Sequence, residues 1–212
     1  MSTPFWELIR AGGFTIYALI ACSLLVWAVI FERLWHYRSL SQDLRAFQLE
    51  ASNALLRGDR EGLGRLCAAN PRIPTAHLVH HALERLSSRD ARLRSRWLEA
   101  LERRRMQINQ ELRSHLWVLG TVGSAAPFIG LFGTVVGILR AFGTMSKTGA
   151  GGFAVVAGAI SEALIATAAG ILVGVVSVMA YNAFQTRLAG LILQIRLYTE
   201  ELAEMLSSTQ DT

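Results

Sequence analysis

Residues Leu116–Leu139 read LWVLGTVGSAAPFIGLFGTVVGIL, a run without one charged side chain. A helix needs about 20 apolar residues to cross the hydrocarbon core of a bilayer, and this run is long enough. Two other stretches behave alike. Phe14–Phe31 (FTIYALIACSLLVWAVIF) is uncharged, and 153–184 is interrupted only by Glu162. With 52% hydrophobic residues over 212 positions, the chain reads as an all-α membrane protein with three transmembrane helices; the competing reading is a hydrophobic soluble bundle. Leu19-Ile20-Ala21-Cys22 resembles a lipoprotein cleavage box. The apolar run nevertheless continues to Phe31 before Glu32-Arg33, so we read a retained anchor.

Orientation follows from the arginines. Residues 32–115 hold sixteen of the twenty-one Lys and Arg, whereas the short loop at 143–152 has only Lys147. The positive-inside rule then places 32–115 and the C-terminal tail in the cytoplasm and the N-terminus outside. The expected order is an outer interfacial helix (1–13), span one (14–31), a cytoplasmic helical domain (32–115), span two (116–142), a periplasmic loop (143–152), span three (153–184) and a cytoplasmic helical tail (185–212). The net charge of +5 is thus topological, and no basic and aromatic interleaving points to nucleic acid.

The cytoplasmic part reads as helical. Arg57-Gly58-Asp59 is expected to be a turn with Asp59 as N-cap, Asn70-Pro71 to end the next helix, and another helix to begin near Thr75. Ser88–Asp90 separates that helix from the charged run beginning at Ala91. This run lacks Gly and Pro before Gly120, so it predicts one helix continuous with span two, and the tail after Asn182 likewise extends span three inward. At the other end, Ser2 or Thr3 would cap a short helix ending at Gly12-Gly13.

No nucleophile with a base, phosphate loop or paired carboxylates is visible, so no enzyme is expected and no cofactor. His77, His80, His81 and Glu84 have ligand-like spacing but read as a helix surface, and no metal is expected. Cys22 lies in a span and Cys67 in a reducing compartment, so neither is expected in a disulfide.

The chemistry sits in stripes of small residues. Gly120, Gly123, Pro127, Gly130, Thr134, Gly137 and Ala141 recur at steps of 3 and 4 in span two. Ala163, Thr167, Gly170, Gly174, Ser177 and Tyr181 do so in span three. Such stripes let membrane helices approach closely. They either pack the two helices together or face a central space. Glu162 and Thr167 lie about 140° apart on their helix. An ionisable residue in a span commonly marks an ion path, while an outer interfacial position would cost Glu162 little.

The blocks GSAAPFIGLFGTVVGI (123–138) and ISEALIATA (160–168), followed by Tyr181-Asn182, resemble the MotA/TolQ/ExbB proton-channel family, specifically its TolQ and ExbB branch. The flagellar MotA branch has four spans. The resemblance implies an inner-membrane subunit of a Gram-negative bacterium that helps convert proton-motive force into mechanical work. It implies a homopentamer around ExbD- or TolR-like single-span partners that carry a membrane aspartate. A TonB-like or TolA-like protein, or gliding machinery, would receive the output. It maps the polar pore residues onto Thr134, Thr167 and Glu162, with Pro127, Gly130, Gly137, Ala163, Gly170, Gly174, Ser177 and Tyr181 as pore wall. Many relatives have a proline where Val176 stands, and Pro-Gly where this chain has Gly158-Ala159. A scaffold that assembles oligomers without an ion path, and a channel acting alone, are the alternatives.

Overall fold

The structure is a computed structural model that describes residues 13–86, 97–148 and 153–208. All six helices in those residues are α-helices: α1 Gly13–Leu56, α2 Arg60–Ala69, α3 Pro74–Leu86, α4 Trp97–Leu112, α5 Leu116–Thr148 and α6 Phe153–Ser208. Among the described residues there is no strand, and three helices (α1, α5 and α6) are long and apolar enough to cross a membrane. The fold class is therefore the expected one. The interfacial helix at 1–13, the Ser88–Asp90 break and the 149–152 part of the short loop lie outside the described residues, except that Gly13 begins α1.

α1 runs unbroken for 44 residues. Neither Gly nor Pro occurs between Gly13 and Gly58, so nothing in the sequence stops a helix once nucleated. Gly58 stops it by adopting φ +72°. Its N–H donates to Leu55 O and that of Asp59 to Ala54 O, at 2.9 and 3.0 Å, which satisfies the last carbonyls in a Schellman arrangement. Asp59 then caps α2 by accepting from the Gly62 N–H at 2.7 Å, as the sequence indicates. Asn70 ends α2, its side chain donating to Leu66 O at 3.0 Å, and Pro74 opens α3 where its missing N–H is harmless.

Contacts divide the chain into two compact units: Met1–Glu32 with His115–Phe184, and Arg33–Ser114 with Gln185–Thr212. The second unit has its own apolar core. Phe47, Ala51 and Leu55 of α1 meet Leu63 and Cys67 of α2, Ala76 and Val79 of α3, and Leu202 of α6. Burial pushes the Cys67 thiol up to about 12, so it packs as an inert apolar group. Polar contacts tie α6 into this unit. Arg105 donates to Glu102 at 3.3 Å and Glu200 at 3.2 Å, Arg196 donates to Glu200 at 2.9 Å, and Gln48 donates to Glu201 at 2.9 Å. The hydrogen bond from Arg196 is the main reason the Glu200 carboxyl lies below the usual range.

One expectation is corrected. The charged run does not continue into span two as a single helix, because α4 stops at Leu112 and α5 starts at Leu116. The Leu112 carbonyl accepts from Tyr37 Oη at 2.8 Å and from Arg33 Nη1 at 3.4 Å, while Arg33 also donates to Ser114 at 3.0 Å. A cation and a phenol therefore replace the next helical turn as donors to the α4 C-terminus. His115 follows with φ +64°, a left-handed conformation that costs a non-glycine residue about 1–2 kcal/mol.

The Leu63 side chain is fully buried at the centre of the second unit's core. Leu63→Ala should lower unfolding stability by about 2–5 kcal/mol, measurable by chemical denaturation of the purified chain. A pH effect comes from His77, whose Nε2 lies 3.2 Å from Arg104 Nη2 and so accepts only when neutral. Burial, and then the Arg104 charge, lower its pKa below the usual 6.5. The unfolded chain binds this proton more readily, so the contribution is intact above pH 6.5 and is lost as pH falls through the depressed folded value. Stability should fall on acidification below pH 6.5, and less steeply in His77→Gln.

Candidate functional site

The first unit is built on a seam between α5 and α6 that only small residues permit. A Cβ on Gly170 would lie 2.5 Å from the Ala126 carbonyl, and one on Gly130 would lie 2.8 Å from the Ala166 carbonyl. A Cβ on Gly137 would lie 2.7 Å from the Ala163 Cβ, and the edge of the Tyr181 ring covers Gly120. Pro127 sits inside α5 and frees the Gly123 carbonyl four residues earlier. A Cβ on Gly174 would lie 2.9 Å from the Pro127 ring and 3.2 Å from that carbonyl, so glycine here lets the partner helix cover the gap. Gly120, Gly123, Gly130 and Gly137 of α5 and Gly170 and Gly174 of α6 each face the other helix of the same chain.

Hydroxyls complete the seam. Ser177, fully buried, donates to Leu119 O at 2.8 Å, and Thr167 donates across to Gly130 O at 3.0 Å. Thr134, 8% exposed, donates within its own helix to Leu131 O at 2.6 Å. Each hydroxyl proton is thus committed, and each oxygen keeps acceptor capacity.

α1 seats on one flank. A Cβ on Gly133 would lie 2.7 Å from Thr15 Oγ1 and 3.0 Å from the Ala166 Cβ, so three helices converge at these residues. Thr134 and Thr167 are the next residues along from Gly133 and Ala166. On antiparallel helices a 100° step turns both to the same side. The two threonines therefore lie on one flank, turned away from Thr15 and within about one helical turn of each other along the seam. Glu162 precedes Ala163, so the opposite step turns it to the α1 flank, about one turn nearer the 143–152 loop. It is exposed. The structure places Thr134 and Thr167 on one flank of the seam and Glu162 on the other.

At the far end of this unit Glu32 meets His115 Nδ1 at 3.0 Å, which holds the last residue of the turn before α5. Cys22 and Cys67 are free thiols. Among the described residues no group of three or more His, Cys, Asp or Glu side chains is arranged to hold a metal. The sequence reading missed Thr15 and the role of Gly133. The available signal was Gly133 itself, a glycine off the main stripe of α5 that marks a second packing face.

Three membrane-crossing helices with a polar, small-residue seam define a multi-pass channel-class protein of the inner membrane. Residues 71–196 match the model of the MotA/TolQ/ExbB proton channel family, and the chain belongs to that family, in its TolQ/ExbB branch. It is 31% identical to the Tol-Pal system protein TolQ of Pseudomonas aeruginosa over 219 residues, covering 96% of this chain and 93% of the relative. It is 37% identical to the biopolymer transport protein ExbB of Pseudomonas putida over 164 residues, covering 71% of this chain and 50% of that protein. A putative ExbB-like protein of Helicobacter pylori is 42% identical over 110 residues, covering 52% of this chain and 56% of its own length. The chain thus spans about half the length of the two ExbB-type relatives and nearly all of TolQ.

The seam yields a paired prediction. Gly170→Ala forces α5 and α6 apart and should destabilise the first unit by more than 1 kcal/mol, roughly the scale of overpacking a tight core. Gly158→Ala meets open space and should be neutral or stabilising by about 0.5–1 kcal/mol through helix propensity. Thermal melting of the two purified variants distinguishes them.

Proposed function

We propose that the chain is the stator-like subunit of a motor driven by proton-motive force, working as a homopentamer around a single-span ExbD- or TolR-like partner. What supports this reading is the placement of Thr134 and Thr167 on one flank of the α5–α6 pair, the flank turned away from Thr15, in a member of a proton channel family. The partner's membrane aspartate is the proton carrier, since Glu162 is the only carboxylate in the three spans and it lies on the other flank.

The hydroxyl geometry gives this chain a defined part. With its proton on Gly130 O, the Thr167 oxygen can accept a hydrogen bond from a protonated aspartic acid. Once the acid ionises, a carboxylate in low dielectric is costly unless it gains donors. Thr167 and Thr134 supply them by turning their hydroxyls away from the carbonyls of Gly130 and Leu131. The two orientations differ by one local hydrogen bond each, of about 0.5–1.5 kcal/mol. For the pair this totals about 1–3 kcal/mol, comparable with the roughly 2.3 kcal/mol per 100 mV that one charge gains in crossing the membrane field. Proton flow then moves the partner helix between equivalent threonine pairs around the ring, and a TonB-like or TolA-like protein takes up the motion.

A scaffold without an ion path is the second reading. It is favoured by the same contacts, because the seam residues are all used in packing within one chain. The double variant Thr134→Val/Thr167→Val separates the two. The motor reading expects proton-dependent output to fall by at least roughly tenfold, equivalent to about 1.4 kcal/mol, at unchanged complex levels, with Thr→Ser at both positions retaining output. Full output from the valine variant contradicts it and supports the scaffold.

A further inference from the structure

In the second unit, α3 and α4 flank a half-open pocket of about 250 Å3. Its floor is apolar, formed by Leu78, Ala82 and Leu101, all buried. Its rim carries Arg103, Arg104, His81 and Gln107, and among the described residues no carboxylate lines it. Two carboxylates on the same helices lie near rim residues without entering the cavity. Glu84 is shared between His80 at 3.4 Å and His81 at 3.3 Å, and Glu99 lies 3.9 Å from Arg103 with both side chains 68% exposed, a separation and exposure that confer little.

Arg104 is the informative residue. Its two terminal nitrogens meet neutral acceptors, Gln107 Oε1 at 2.8 Å and His77 Nε2 at 3.2 Å. Its Nε is buried without a hydrogen-bond partner, as is His77 Nδ1. A half-buried guanidinium with an unpaired buried N–H and no carboxylate is an incomplete electrostatic arrangement. His77 registers the same field, since after burial the charges of Arg104, His81 and His80 all lower its pKa.

We propose that this cavity binds a small organic phosphate. A dianion matches the two guanidiniums in charge, where a carboxylate would leave one uncompensated, and arginine donates to phosphate oxygens in paired, charge-assisted hydrogen bonds. The apolar body of the ligand lies on Leu78, Ala82 and Leu101, and the volume suits a single ring or a short chain. The shared chemistry is a phosphate monoester beside an apolar group, supplied by a soluble monoester or by the monoester headgroup of phosphatidic acid. The site is separate from the threonine pair and does not depend on the proton-path reading.

The test titrates phenyl phosphate into the full-length chain in phosphatidylcholine nanodiscs by calorimetry, with phenol as the uncharged control. Phenyl phosphate should bind in the millimolar range or tighter, and phenol should not. Arg104→Gln and Arg103→Gln should each weaken binding by roughly tenfold, and Arg57→Gln should leave it unchanged. Arg103 is exposed, so its variant reports on binding even if Arg104→Gln perturbs the fold. With phosphatidic acid added to the nanodiscs, weakened binding of the probe assigns the site to the headgroup, and unchanged binding assigns it to a soluble phosphate. Equal binding of phenol, or wild-type binding by both arginine variants, overturns the proposal.

Discussion

The first unit depends on backbone meeting backbone between α5 and α6. A membrane helix gains nothing from hiding leucine against leucine when lipid is equally apolar, so contact must come from close approach and from hydrogen bonds that lipid cannot offer. Gly130 against Ala166 and Thr167, and Gly170 against Ala126, bring the helices near enough for Thr167 to reach a carbonyl on the other helix. The same approach lets Ser177 reach Leu119 O and lets Gly174 close over the gap at Pro127. Packing and polar chemistry are therefore one feature, and any substitution that separates the helices also moves the hydroxyls.

The second unit solves a different problem, with ordinary tools of a water-soluble domain. It has a leucine-rich core, capped helix ends and a salt-bridge network, and its polar contacts are made between side chains far apart in sequence. Arg33 shows how one residue can carry two meanings. Its position just after an apolar span marks topology under the positive-inside rule. Its side chain is 3% exposed and closes the end of α4.

Much of this was legible beforehand, for identifiable reasons. The three spans follow from uninterrupted apolar runs, and the Gly58-Asp59 turn follows from a residue that takes positive φ beside one that caps. The stripes at steps of 3 and 4 located the α5–α6 contact. The break at Arg113–His115 was not legible, because it is made by Tyr37 and Arg33, about 75 residues away in sequence, and by a histidine held in a glycine-like conformation. Local composition there favours helix, and tertiary contacts override it. The separation of Glu162 from the threonines also needed the structure, since a helical projection gives angles on one helix but does not reveal that α1 occupies the Glu162 flank.

The central claim is that the flank bearing Thr134 and Thr167 faces an aqueous or partner-filled space, and cysteine accessibility along α6 in native membranes tests it most directly. In a chain with Cys22 and Cys67 replaced by alanine, single cysteines at Leu164, Thr167, Ile171 and Val178 sample that flank, while Glu162, Ala169, Val173 and Ala180 sample the other. The account predicts modification by a membrane-impermeant thiol reagent at the first set, with protection when the single-span partner is present. Reactivity confined to the second set, or absent from both, would contradict it.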